Sequence, residues 1–246
     1  MNRELDGVHN FRALGPYRVR GGRLREGMIY RSGALELMSD VDCACLGDEL
    51  GIRTILDLRH PDEVAHRPDG HALNERVLPL SIFPETVRQD DIIADLNGLY
   101  GTGPTPGRYL HYLDVGGDRL AAAFRLFAKE SSYPVLVHCT AGKDRTGVLL
   151  GMLMELLGAD DDDIANEYGL SDASIDRLIA YLRSTGRALE GTDDEIRARL
   201  STPADRMAGF IQLLRARHGS TEAFLAGRGL RADEIGAIRE LLTARE

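Results

Sequence analysis

Tryptophan is absent and lysine nearly so. Lys129 and Lys143 are the only lysines among thirty basic residues, so ordinary surface charge is carried by arginine. A lysine inside a glycine-containing loop therefore stands apart from surface decoration. Cysteine is scarce as well: Cys43, Cys45 and Cys139 are odd in number and form no CxxC pattern, which argues against a disulfide framework and a thiolate zinc site. The seven histidines, His60, His66 and His71 among them, show no ligand spacing, so neither a metal nor a cofactor is expected. No apolar run reaches the roughly 18 residues of a membrane-spanning helix. Met1 to Asp6 lacks the apolar stretch of a secretory signal, which makes cytoplasmic residence the default expectation. A net charge of -9 argues against nucleic acid, or a strongly anionic membrane surface, as the main target. Attraction of an anionic substrate must then be local.

The chemistry is concentrated in ten residues, His138-Cys139-Thr140-Ala141-Gly142-Lys143-Asp144-Arg145-Thr146-Gly147. Before them, Pro134-Val135-Leu136-Val137 has the composition of a short buried strand. After them, Val148, Leu149, Met152, Leu153, Leu156 and Leu157 recur at helical spacing until Gly158, a helix stop. Cys139 is thus expected at the carboxyl end of a strand, in a loop that opens into a helix N-terminus. Unpaired N–H groups and the helix dipole there favour an anion, whether a bound phosphate or the thiolate itself. Thiolate, not thiol, is the nucleophile. Six positions on, Arg145 can curl back and hold two phosphate oxygens with one planar fork, which lysine could not do.

The other loop positions have their own readings. Gly142 allows successive N–H groups to aim inward, while Gly147 leaves room where loop and helix pack. Thr140, Ala141 and Thr146 complete the cradle, and the Thr146 hydroxyl can donate to the thiolate. Lys143 is a candidate substrate contact, with a solvated loop lysine as the alternative reading. A lone cysteine is more often a small buried apolar residue, but the arginine, the glycines and the strand-to-helix context together outweigh that reading for Cys139.

These residues resemble the cysteine-dependent phosphatases, and more closely the atypical bacterial tyrosine phosphatases. The resemblance extends to Asn10-Phe11-Arg12, Gly15, Gly22-Arg23-Leu24 and Ile29-Tyr30-Arg31-Ser32. It continues through Ile52-Arg53-Thr54-Ile55-Leu56-Asp57-Leu58-Arg59 with Glu63, and through His218-Gly219-Ser220-Thr221 with Gly229-Leu230 near the end. The chain departs from the family at Ala13-Leu14-Gly15-Pro16, where an aspartate commonly follows Asn-Phe-Arg. The resemblance implies attack by Cys139 on phosphorus, a cysteinyl-phosphate, and its hydrolysis, with Arg145 and loop amides holding the transferring group. It requires no metal.

A leaving oxygen needs a proton. Conventional tyrosine phosphatases take it from a Trp-Pro-Asp loop, which a chain without tryptophan lacks in that form. Asp144, inside the loop, is the first candidate. Asp57, at a strand's carboxyl end where open sheets bind ligands, is the second; its alternative reading is a structural partner of Arg59. Asp90, Asp91 and Asp95 are outsiders.

The expected fold is α/β, cysteine-phosphatase-like: a central, largely parallel sheet flanked by helices, with a helical lid and C-terminal helices. One phosphatase domain over 1–246 is expected. Strands at 28–31, 52–58 and 76–80 and a helix at 40–50 fill residues 1–83. A less regular segment at 84–116, with Tyr100, Tyr109 and Tyr112, covers the site. A helix at 119–129 then precedes the catalytic strand, loop and helix of 117–158, and 159–246 is helical to its end. The resemblance assigns a lid to the region between Thr185 and Pro203.

Three functions compete. The first is hydrolysis of phosphotyrosine, with phosphoserine and phosphothreonine possible, on a phosphorylated protein; the second is hydrolysis of a phosphoinositide. The third is a catalytically silent phosphate-binding module. Sulfur transfer or arsenate reduction on a similar loop is weaker, since arsenate reduction needs resolving cysteines.

Overall fold

A computed structural model describes residues 4–66, 71–186 and 189–245. The elements are β1 (Arg12–Ala13), β2 (Arg18–Val19), β3 (Gly22–Leu24), β4 (Ile29–Ser32), α1 (Asp40–Ala44), β5 (Thr54–Asp57), α2 (Pro61–His66), β6 (Val77–Pro79), α3 (Gln89–Tyr100) and α4 (Pro106–Phe127). They continue with β7 (Val135–His138), α5 (Asp144–Leu157), α6 (Asp161–Gly169), α7 (Ile175–Ser184), α8 (Asp193–Leu200), α9 (Ala204–His218), α10 (Thr221–Gly227), α11 (Ala232–Leu242) and β8 (Thr243–Ala244).

Five strands form the main sheet in the order β1-β4-β7-β5-β6, with β4, β7, β5 and β6 parallel and β1 antiparallel at one edge. All four residues of the central β7 are buried, as a strand covered on both faces requires. Its alternation divides the core. Val135 and Val137 face the large cluster built with α4, α5 and α9, whereas Leu136 packs with Leu46, Ile52 and Ile55 on the opposite face. The register sets His138 beside Ser32 on one side and Asp57 on the other. The carboxyl ends of three strands therefore converge where the ten-residue loop begins.

Helix α1 starts at a capping box in which Ser39 and Asp42 satisfy each other's backbone, and it continues as a π-helical turn over Cys45–Glu49. Cys43 and Cys45 are buried there, in core positions.

Two expectations are corrected. The segment 84–116 is mostly helical, and the helix expected at 119–129 is the second half of a 22-residue α4 that begins with Thr105 as N-cap and Pro106 in its first turn. Gly116 and Gly117, in the middle of α4, are packing positions. A Cβ on Gly116 would lie 2.2 Å from the Ile82 carbonyl oxygen, so α4 crosses the chain more closely than any side chain allows. The chain also does not stay helical to its end: β8 pairs with β3 in a three-stranded antiparallel sheet with β2, because the short β3 edge accepts a partner. Among the described residues, no helix is long and apolar enough to cross a membrane.

Candidate active site

β7 delivers Cys139 to the floor of a cavity of about 320 Å³, where its side chain is 1% exposed. Thr140, Ala141, Lys143, Asp144 and Arg145 line the same cavity. Phe83 and Tyr112 line it as well, with Leu178, Leu182 and Leu200 from α7 and α8. Helix α5 begins at Asp144, so the first-turn N–H groups face this space, and it ends at Gly158 in the left-handed conformation.

The loop is held from behind by the N-terminal segment. Gly142 has a φ of +66°, and a Cβ there would lie 2.2 Å from the Ser32 carbonyl oxygen, so only glycine fits. Asn10 Nδ2 donates to the Gly142 carbonyl at 2.9 Å and to that of Ala141 at 3.2 Å. Arg31 donates to the Gly142 carbonyl at 2.5 Å and to that of Lys143 at 3.4 Å. The Thr140 carbonyl accepts from His9 Nε2 at 3.1 Å and from the Ala34 amide at 3.0 Å. With four successive carbonyls engaged outward, the loop's N–H groups are left for an anion.

Two buried cations behind an anion loop need an anion of their own, and Glu167 on α6 provides it. Its carboxylate accepts from Arg12 Nε at 2.9 Å and from Arg31 Nη1 at 2.5 Å. Burial pushes the Glu167 carboxyl up, but Arg31 and Arg12 outweigh this and hold it below the usual carboxylate range.

At the front, Arg145 is gripped bidentately by Glu63 on α2, at 2.5 and 2.9 Å, and donates to the Leu58 carbonyl at 3.3 Å. Glu63 also accepts from the Thr140 hydroxyl and from the His60 amide. Burial raises its pKa, yet Arg145 first, then Thr140 and the His60 amide, hold it far below the ordinary range. Arg145 is therefore fixed by one face of its guanidinium while lining the cavity.

The structure brings Cys139, Arg145, Asp144, Lys143, Thr140 and Ala141 to one cavity and leaves Asp57 elsewhere. Asp57 is 2% exposed and accepts from the Arg59 amide and from Nε and Nη2 of its guanidinium, at 2.7 to 3.0 Å. Burial acts to raise its pKa, but His138 and Arg59 lower it further, so the carboxylate form prevails. Asp90 on α3 is exposed beside Arg88. Lys143 is buried, with Nζ donating to the Leu200 carbonyl at 2.6 Å and lying 3.9 Å from Asp144 Oδ2. The Thr146 hydroxyl is buried and has no hydrogen-bond partner among the described residues, so the donation to sulfur expected of it is not made. At Gly147 a Cβ would come within 2.8 Å of the Tyr168 ring, which explains the glycine by packing between α5 and α6.

Several contributors escaped the motif. Arg31 had a signal: a guanidinium within Ile-Tyr-Arg-Ser, a strand buried on both faces, demands a partner. Glu63 followed Asp-Leu-Arg without an assigned role. Glu167, in the middle of an ordinary amphipathic helix, carried none.

Several known proteins are similar to this chain. The triple specificity protein phosphatase PtpB of Mycobacterium tuberculosis is 27% identical, over 98% of this chain and 98% of that protein. A tyrosine-protein phosphatase of Nostoc commune is 26% identical, over 85% of this chain and 72% of that one. Among solved structures, the catalytic core of the S. cerevisiae PP-IP phosphatase SIW14 is 18% identical, covers 79% of this chain and 93% of its own, and has a TM-score of 0.41. The family model described as the tyrosine phosphatase family matches residues 3–244, and this chain belongs to that family.

Proposed function

We propose that the cavity at the head of α5 hydrolyses phosphotyrosine in proteins by two displacements, with Cys139 as nucleophile, Arg145 and the loop amides as phosphate clamp, and Asp144 as proton donor and acceptor. In the first step the Cys139 thiolate attacks phosphorus, the S–P bond forms and the ester P–O bond breaks. The carboxyl proton of Asp144 passes to the leaving oxygen. In the second step Asp144, now a carboxylate, takes a proton from water as the water oxygen displaces Sγ. Inorganic phosphate leaves and the thiolate is restored. Fixed donors aimed at the equatorial oxygens lower both barriers.

The observation that carries this reading is the shared cavity: nucleophile, cation fork and a carboxylate meet at one helix N-terminus. Thr140, Ala141, Gly142, Lys143, Thr146 and Gly147 form the cradle. Asp57, locked to Arg59 outside that cavity, serves as an anchor of the strand end in this proposal. The aromatic and aliphatic walls, Phe83, Tyr112, Leu178 and Leu182, suit the ring of a phosphotyrosine. Phosphoserine and phosphothreonine enter as further substrates, in keeping with the relative called a triple specificity phosphatase.

Phosphoinositides are the second class, supported by Lys143 at the cavity wall, a charge able to meet a second phosphate once it releases the Leu200 carbonyl. Residues 1–246 act as one catalytic domain in this reading. A reducing compartment, the cytoplasm by default, suits a catalytic thiol.

Rapid quench with a phosphotyrosine peptide, followed by mass spectrometry, tests the scheme. The wild type should accumulate one phosphate on Cys139, and Cys139→Ser should bind the peptide without turnover. Binding with no covalent adduct in the wild type would make the chain a silent phosphate-binding module.

A further inference from the structure

Asp144 sits at the end of a chain of hydrogen bonds that leads away from the cavity. Arg206, on α9, donates to the Tyr168 hydroxyl at 3.1 Å. The Tyr168 and Tyr109 hydroxyls are 2.7 Å apart. Tyr109, on α4, donates to Asp144 Oδ1. Direction follows from chemistry, since Asp144 Oδ1 can only accept and each phenol has one proton to give. The Tyr109 proton goes to Oδ1, so the Tyr168 proton goes to the Tyr109 oxygen, while Arg206 donates to Tyr168. The chain therefore terminates on one oxygen of Asp144, a residue that lines the cavity, while Oδ2 lies 3.9 Å from Lys143 Nζ.

The ring that delivers this bond has little freedom. Tyr109 is wholly buried, edge-on to Tyr168 and to Phe210 with centroids 6.1 Å apart in each case. Such edge-to-face contacts fix the ring and so the aim of its hydroxyl. Burial, followed by the neighbouring Asp144 charge, pushes the Tyr109 pKa well up, so its proton stays in place. Gly147 permits the arrangement, because a side chain there would displace the Tyr168 ring.

Resting on the assignment of Asp144 as the acid, we infer that Tyr109, oriented by Tyr168 and Arg206, is a positioning residue: it holds Asp144 Oδ1 so that Oδ2 carries the transferable proton toward the leaving oxygen. Arg206 also donates to the Ser201 carbonyl at 2.6 Å, one residue beyond the Leu200 carbonyl that Lys143 holds. The segment after α8 is thereby connected to both charged loop residues, Lys143 directly and Asp144 through the tyrosines.

The test compares Tyr109→Phe, Asp144→Asn and the double variant on phenyl phosphate, a poor leaving group, and 2,4-dinitrophenyl phosphate, a good one. The readout is kcat/KM, which reports the first chemical step. Tyr109→Phe should lose roughly tenfold on phenyl phosphate, a fraction of what a positioned acid contributes, and less than about twofold on the dinitrophenyl ester. In the Asp144→Asn background it should cost nothing further. Equal losses on the two esters, losses that multiply in the double variant, or no loss would each overturn the positioning role. If Asp144→Asn itself loses equally on both esters, the acid assignment fails. A leaving-group-dependent Asp144→Asn beside a flat Tyr109→Phe removes the positioning role alone. Circular dichroism and melting verify folding, and should Tyr109→Phe not fold, Tyr168→Phe applies the same criteria one bond further out, with about threefold expected on phenyl phosphate.

Discussion

The back and the front of the phosphate loop are both built from arginine and glutamate, yet they differ in how those charges are closed. Behind the loop, Arg12, Arg31 and Glu167 are almost fully buried, and their bonds run to each other, to Asn10 and Ser171, and to loop carbonyls. At the front, Arg145 and Lys143 are each held on one side, by Glu63 and by the Leu200 carbonyl, while lining the cavity. A closed set of buried charges carries structure, because removing a member strands the others. A half-closed set carries chemistry, because its open side is where a substrate phosphate enters.

The sharpest way to probe that division is to remove the nucleophile. Cys139→Ser should lower turnover of phosphotyrosine peptide by at least about 10⁴-fold, since losing a nucleophile removes the covalent route, while the melting temperature barely moves. Comparable residual activity would dissolve the distinction.

The opposite pattern is expected behind the loop. Glu167→Ala strands two buried guanidinium groups and should cost about 3–5 kcal/mol in urea unfolding, the usual penalty for breaking a buried pair. A loss under about 1 kcal/mol, as for an exposed pair, would mean that the rear is no more structural than the front.

Between these extremes lies Glu63→Gln, which keeps the shape but loosens Arg145. A misaimed clamp should lower kcat/KM by about 100-fold with a smaller effect on stability than Glu167→Ala. Equal losses of stability in the two variants would erase the contrast.

His9 sharpens the comparison through pH. Buried against the Thr140 carbonyl, it has a pKa lowered from 6.5 to about 4, chiefly by desolvation. The folded state then binds fewer protons than the unfolded state between those values, so stability present above pH 6.5 is lost as pH falls toward 4 and levels off below. The loss should be about 3 kcal/mol. Urea midpoints from pH 7 to 4 should fall less steeply in His9→Gln than in the wild type, and parallel slopes would remove His9 from the account.

The smallest effect is expected at Lys143. Lys143→Met should lower turnover of a phosphoinositide about tenfold, the scale of one lost charge-assisted contact, and that of a phosphotyrosine peptide less. Equal losses would leave Lys143 as a tie to the segment after α8 rather than a substrate contact.

Much of the fold could be read locally. The β7 strand, the loop and α5 with its Gly158 stop are set by periodicity and turn residues within 25 positions. The start of α8 is local too, a capping box between Thr192 and Glu195, three positions apart. The start of α4 was missed because Pro104, Pro106 and Gly107 read as loop, whereas Pro106 and Gly107 form the first turn of the helix; Gly116 and Gly117 within it answer to the Ile82 carbonyl and to Arg228, neighbours that sequence spacing does not reveal. Asp57 and Asp144 looked alike as acids. Their difference lies in environment, one saturated by Arg59 and the other lining the cavity that holds Cys139.

The sequence by itself determined the reaction class: a cysteine and an arginine six positions apart, on glycine-relieved backbone before an apolar helix, make an anion site through short-range geometry alone. Only the tertiary structure decided how that site is held and aimed. Arg31 meets Glu167 across 136 positions, Arg145 meets Glu63 across 82, and Tyr109 reaches Asp144 across 35. A buried guanidinium or acid must find a partner, but packing of whole helices against the sheet selects which one, and no local pattern records that choice.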